Sequence, residues 1–194
     1  RWNEEQKLEI KNSRINTTSF LMETLKRLRI TPKVIINGSA IGFYGTSITN
    51  EYNENSAKGN DFLADLCNSW EYEAKKKPSF TRLVIFRIGI VIGSDGGALG
   101  KMLPIFKLGL GGPIGKGDQW MSWIHRTDLC HMIMKALINK KYSGTYNAVA
   151  PDPVIMKLFS ELLAKCLNRP NLIPVPGVSL KILLGEGAKL VLEG

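Results

Sequence analysis

Val34-Ile-Ile-Asn-Gly-Ser39-Ala-Ile-Gly-Phe-Tyr44-Gly45 is the stretch that decides the fold. A short β-branched apolar run that stops abruptly in small residues is the pattern of a buried parallel strand delivering its loop to a cleft. Ser39 stands at that strand end. Its hydroxyl is either offered to a ligand or closes a turn through a bond to backbone, and the pattern alone leaves both open.

The block Asn60 to Lys77 reads as a helix starting on Asn60 or Asp61, with Leu63, Cys67, Trp70 and Ala74 along one face. A cysteine on such a stripe is by default a small core residue. The remaining order is a helix to about Leu28, with Asn3 and Gln6 spaced as a capping box, then strand Val34 to Asn37, the helix from Asp61 and strand Leu83 to Arg87. A Gly-rich substrate region follows, then a helix from Asp128 with that residue as its cap, strand Thr145 to Ala148 and a helix from Val154. Leu172-Ile-Pro-Val-Pro176 reads as extended and Ser179 to Leu192 as an amphipathic helix. Strands alternating with helices in this way make βαβ units and a mainly parallel sheet.

Apolar residues make up 44% of the 194 and charged residues 22%, the balance of a globular protein with a sizeable core. No apolar run approaches the roughly 20 residues that span a bilayer, and no charged leader precedes an apolar stretch. Cys67, Cys130 and Cys166 are an odd set without a C-x-x-C pair, and His125 and His131 lack helix-face spacing for a shared ion, so free thiols in the cytoplasm and no metal site are expected. The formal charge of +9 is spread along several segments. Its longest runs, Lys75-Lys-Lys77 and Lys140-Lys141, fall where helices end and cations are favoured, so neither nucleic acid nor a membrane is expected as partner.

Gly109-Leu-Gly-Gly-Pro-Ile-Gly-Lys116-Gly117 invites comparison with a phosphate loop. That pattern needs Gly five before the Gly-Lys pair and Ser or Thr after it, where this chain has Leu110 and Gly117. The segment is expected instead to be a flexible loop over the substrate side.

Several blocks in order resemble the extended short-chain dehydrogenase/reductase superfamily, and within it the atypical NAD-dependent epimerase/dehydratase-like group labelled cell-division-inhibitor-like. They are Arg1-Trp2 leading to Ser13-Arg14, Ser39 to Gly45, Asp61-Phe-Leu-Ala-Asp-Leu-Cys67-Asn-Ser-Trp70-Glu71 and Phe86-Arg87-Ile-Gly-Ile-Val-Ile-Gly93. Gly96 to Pro104, Gly111 to Gly115, Trp120-Met-Ser-Trp-Ile-His125 and Asn147 to Pro151 complete the series, which covers nearly the whole chain. The resemblance implies an α/β, Rossmann-like doubly wound parallel sheet. Residues 1–150 would be the rear part of the dinucleotide-binding domain, with a substrate-side insertion at about 94–124, and residues 151–194 an incomplete substrate-side lobe. The family's first βαβ units and Gly-rich phosphate loop would precede Arg1.

Ordinary members use a Ser, a Tyr-x-x-x-Lys pair and an Asn. Here Ser39 matches the Ser, Leu63 and Cys67 fall at the Tyr and Lys positions counted back from Glu71, and the Asn position falls on Arg14. Leucine has no proton to exchange and a thiol carries no positive charge, so the acid/base work, if retained, has moved to Tyr44, Cys67 or His125. The resemblance places Ser39, Ala40, Tyr44, Cys67, Arg87, Ile88 and Ile90 near the nicotinamide of NADP or NAD. Arg14 is either a substrate-holding cation at the cleft or a helix-surface residue. On the substrate side it implies Lys101, Gln119, Trp120, Met121, Ser122, Trp123 and His125, although the tryptophans fit a core role equally well. Two functions are consistent with this reading: an epimerase-like NAD(P)-binding oxidoreductase acting on a small carbonyl or sugar-like compound, and a non-catalytic NADP(H) sensor, division-related as the group label suggests. Without the family's early strands, Val34 to Asn37 would form an exposed edge, through which a homodimer is expected.

Overall fold

The computed structural model describes residues 3–178 and 192–193. Strand β2 (Arg82–Ile88) is the middle of a three-stranded parallel sheet, between β1 (Val34–Ala40) and β6 (Gly144–Ala148). Every residue from Leu83 to Arg87 is buried, as a strand covered on both faces requires. Successive side chains point to opposite faces. On one face Val34, Ile36, Val84, Phe86 and Ala148 pack with Ile124 and with Ala136 of α5 (Arg126–Ile138). On the other, Ile35, Leu83 and Ile85 pack against Ala74 of α3 (Phe62–Lys75). Each such buried Val, Ile or Phe contributes about 1.5–3 kcal/mol, so β2 holds both helical layers.

Asp61 starts α3 by accepting the Ala64 N–H at 2.8 Å. The buried face of the helix is Ala64, Leu66, Cys67, Glu71 and Ala74, while Leu63 and Trp70 lie half-buried at its margin. The Trp70 indole N–H donates to Thr18 of α2 (Thr17–Arg27) at 2.9 Å. Ahead of α2 the helical run is broken into α1 (Glu4–Lys11), which Asn3 caps through the Gln6 N–H, and one π-helical turn at Asn12–Asn16. Among the described residues β1 pairs with β2 alone, so its other edge is open.

After Gly89 the chain continues as β3 (Ile90–Gly93), which pairs in parallel with β5 (Trp123–His125). Helix α4 (Gly97–Lys107) lies between them, in the region expected only to be Gly-rich. Strand β4 (Trp120–Met121) pairs antiparallel with β7 (Val154–Ile155), which leads into α6 (Met156–Cys166). No helix among the described residues is long and apolar enough to cross a membrane.

Two local expectations are corrected. Helix α5 starts at Arg126, capped by His125, whose Nδ1 accepts the Thr127 N–H at 3.3 Å; Asp128 sits in the first turn, where its charge suits the helix N-terminus. The Gly109 to Gly117 segment is a loop, as expected, but one tied down along its length, because Gly115 N–H donates to Val175, Val175 N–H to Pro113 and Ile173 N–H to Gly111. The helix expected over 179–192 falls, except for its last residue, outside the described residues.

Gly89 is the joint between the main sheet and the β3–β5 pair. Its N–H bonds to Ala148 O, the next N–H, of Ile90, bonds to Ser122 O at 2.8 Å, and a Cβ at position 89 would lie 2.3 Å from that Ser122 oxygen. Gly89→Ala is therefore expected to lower stability by about 2–3 kcal/mol, since backbone must move. Thermal unfolding of the variant at the parent temperature would refute the close approach.

Candidate functional site

One register row before the sheet ends, Ser39, Arg87 and Asn147 stand side by side across β1, β2 and β6. Arg87 is 5% exposed and faces α3, where Glu71 is 1% exposed. The two form a bidentate pair, with Nε to Oε1 and Nη2 to Oε2 both at 2.9 Å. Ser39 Oγ donates to the same Oε1 at 2.7 Å. Burial works against the Arg87 cation, yet its bonds to Glu71 and Tyr44 outweigh that effect and hold its pKa above the ordinary arginine value. The guanidinium also lies 3.4 Å from the Phe43 ring centroid.

Tyr44 completes the cluster from the short 3-10 turn Ile41–Tyr44 that follows β1. Its hydroxyl accepts from Arg87 Nη1 at 3.0 Å and donates to Asn147 Oδ1 at 2.7 Å. Tyr52 stacks on its ring, centroids 5.3 Å apart and planes 7° from parallel. The loop carrying Tyr52 is fastened twice: Glu54 Oε1 accepts the Asn147 N–H at 2.8 Å, and Glu54 O accepts from Arg87. At its far end Gly59 N–H donates to Phe43 O at 2.9 Å, and a Cβ on Gly59 would lie 2.7 Å from Tyr44 O and Gly45 N.

Cys67 is buried beside Phe43, Tyr44, Ala40 and Ile41. Burial pushes its thiol above the usual range, against opposing hydrogen bonds from the Ala40 backbone and Ser39. Leu63, in the position where the family's Tyr is expected, lies against Gly42. Arg14 sits on the π-helical turn with its guanidinium 5.6 Å from the Trp70 ring and donates to Ile10 O and Ser13 Oγ.

The substrate-side residues divide. Trp120 is exposed and donates its indole N–H to Ile48 O, joining β4 to the loop after Tyr44. Trp123 is half-buried and donates to Asp152 O. His125 is exposed and Lys101 lies exposed on α4. Gln119 and Met121 are buried, Gln119 donating to Ile114 O and Met121 paired with Val154. Ser122 presents its carbonyl to Ile90.

Sequence reasoning missed Glu71, Asn147, Tyr52 and Glu54 as members of the site. A usable signal was present for Glu71: it stands four residues after Cys67 on the buried face, and Arg87 stands in an apolar strand, so each needs a buried partner. Nothing local marks Asn147 or Glu54.

Ala40, Ile88 and Ala148 form the last row of the sheet. The carboxyl end of a parallel sheet is where α/β proteins hold ligands. The residues there suit the nicotinamide end of a dinucleotide: a floor of Ala40 and Ile88 with Cys67 behind it, and no bulky side chain at Gly42 or Gly89.

A protein of Arabidopsis thaliana named epimerase family protein SDR39U1 homolog, chloroplastic, is 46% identical over 196 residues, covering all of this chain and 56% of that protein. Mouse epimerase family protein SDR39U1 is 39% identical over all of this chain and 67% of its own length. The chain belongs to the SDR39U1 epimerase family. The crystal structure of the human SDR39U1 family protein with NADPH superimposes with a TM-score of 0.95 at 37% identity, covering 100% of this chain and 66% of that one. The sheet is thus part of a Rossmann-type fold, and the chain spans about 56–67% of the length of these relatives. No protein-family model matches the chain.

Glu71→Gln leaves a buried guanidinium without its counter-charge, and a loss of about 3–5 kcal/mol in denaturant unfolding is expected. Replacing Glu71 and Arg87 together by Met removes both charges and should lose less than the two single changes summed. Strict additivity in that cycle would show that the pair is not coupled.

Proposed function

We propose that the protein is an NADP(H)-binding, epimerase-like oxidoreductase acting on a small carbonyl or sugar-like substrate, with Tyr44 as its proton-exchanging group. The observation that carries this reading is the Arg87–Tyr44 contact at the carboxyl end of the sheet. A phenol hydroxyl beside a fixed cation is the same pairing of groups that the family's Tyr and Lys supply, assembled here from a strand end and a neighbouring strand. Nicotinamide, when bound, supplies hydride exchange at its C4. Ala40, Cys67, Ile88 and Ile90 would hold that ring, and NADPH in the human relative's crystal structure supports the cofactor class. Trp120, Trp123 and His125 would flank the substrate, with Lys101 at its rim.

Cys67 is disfavoured as the acid/base because burial holds its thiol protonated. His125 spends Nδ1 on the cap of α5. Arg14 would steady the helix behind Cys67 through Trp70, with its remaining donors available to an anionic substrate group.

One observation favours the second reading, a non-catalytic NADP(H) sensor: the Tyr44 hydroxyl already has two partners and lies under Tyr52. The full-length gene product distinguishes the two. Catalysis requires that NADPH be consumed with some carbonyl or sugar-like compound, that Tyr44→Phe lower kcat by about 10²–10⁴ with NADPH affinity retained, and that Cys67→Ser leave the pH–rate profile unchanged. Tight NADPH binding without turnover over a broad carbonyl panel selects the sensor.

The open edge of β1 supports a homodimer for this chain in isolation. Light scattering should give at least twice the monomer mass of 21.6 kDa. A monodisperse monomer that binds NADPH tightly would contradict it. The three cysteines are free, which suits a reducing compartment such as the cytoplasm; the Arabidopsis relative is named chloroplastic.

A further inference from the structure

The opposite, amino-terminal end of the sheet carries a second cavity, of about 410 Å³, which no part of the site above uses. Ser143, Gly144 and Thr145 line its other side, and its floor is Leu83 and Ile85, which pack against Ala74 of α3. Its rim holds Lys75, Lys77 and Phe80.

Three features set this cavity apart from a solvated helix end. Of the three consecutive lysines, Lys76 is taken by Glu73 at 2.7 Å and by the Tyr72 ring, whereas Lys75 and Lys77, both lining the cavity, form no ion pair among the described residues. Thr81 also lines it, is 2% exposed, and has a hydroxyl that is closed to solvent and without a hydrogen-bond partner, a state that ordinarily costs about 1–3 kcal/mol and is relieved when a shift of the rim opens it to an acceptor. Phe80 is fully exposed, and its φ of 67° lies in the left-handed region that bulky residues avoid. A ring held out in water by a strained backbone gains from a ligand that covers it.

We propose that this cavity binds a small aromatic anion, a flat ring carrying a phosphate or carboxylate, independently of the cofactor. The ring lies on Phe80 and the Leu83–Ile85 floor. Lys75 and Lys77 hold the charged group, and the Thr81 hydroxyl, once a small shift of the rim uncovers it, donates to one of its oxygens. The volume is within the range of small-molecule sites, and the chemistry matches the apolar-body, few-polar-groups pattern of such sites.

The test uses the full-length protein saturated with NADPH, so that the cofactor site is filled, and phenyl phosphate as probe in isothermal titration calorimetry. Saturable one-site binding is expected. The double variant Lys75→Gln/Lys77→Gln should bind about tenfold more weakly or not at all, as loss of charge-assisted bonds requires. Phe80→Asn keeps the left-handed backbone while removing the ring, and should weaken phenyl phosphate but not inorganic phosphate. Absence of saturable binding, as when another part of the full-length protein fills the cavity, overturns the proposal. So does equal affinity in the lysine variant, or equal affinity for inorganic phosphate and phenyl phosphate.

Discussion

Arg87 is a permanent charge inside the central strand of the sheet, and the structure is arranged around keeping it satisfied. At 5% exposure that position is hostile to a cation, and an unpaired one would cost several kcal/mol. Glu71 answers with both carboxylate oxygens, Phe43 covers the guanidinium face, and the third nitrogen reaches Tyr44. Because a bidentate fork tolerates little displacement, the pair fixes where α3 sits on β1 and β2. That placement in turn brings Cys67 against Ala40 and puts the Ser39 hydroxyl on Glu71. The apolar core supplies attraction between the layers, but attraction between greasy faces is not directional. The ion pair sets the register.

From the same cluster the loop after Tyr44 gains its hold. Asn147 accepts a hydrogen bond from the Tyr44 hydroxyl through its side chain and donates its backbone N–H to Glu54, so one residue of the edge strand β6 serves both the site and the loop that covers it. Trp120 ties the next part of that loop, at Ile48, to β4, and β4 is held by β7. The loop, the main sheet and the substrate-side strands therefore meet around Tyr44 and Tyr52. Each bond in this chain shares a partner with the next, so their strengths are coupled.

What was legible in the sequence was what is encoded locally. The apolar run ending in Ser39 gave β1, Asp61 gave the start of α3, and the alternation of elements gave the parallel sheet, all confirmed in place. The family resemblance carried by Ser39 to Gly45 and Trp120 to His125 agrees with the relatives found. What stayed hidden depends on pairing across distance: Tyr44 and Asn147 are 103 residues apart, and only the strand register brings them together. Asp128 looked like a cap because helix signals are local, but β5 runs straight into α5 and His125 takes the position first. The Gly109 to Gly117 segment looked loose because its partner, near Val175, is far along the chain. Glu71 is legible from its place on the buried face of α3, which demands a cation, but the cation itself lies 16 residues on, in β2.

Under the proposed function Arg87 supplies the charge that the family's lysine gives, and this changes more than the source of charge. A lysine offers a compact ammonium that can approach both a phenol and a ribose, whereas the guanidinium is planar, stays charged and here spends two of its nitrogens on Glu71. It can orient Tyr44 but cannot exchange a proton with it. Asn147 accepts a hydrogen bond and likewise takes no proton. Under the proposed function, the Tyr44 proton therefore passes directly between phenol and substrate, with solvent restoring it afterwards. Both transfers need the hydroxyl released from Asn147 and the ring uncovered by Tyr52. Glu54 holds the loop through the Asn147 backbone N–H, so loosening the loop uncovers the ring, while the Asn147 side chain turns away from the hydroxyl as a separate step. Under that reading, loop motion is linked to proton exchange through Tyr52, which lies on the Tyr44 ring.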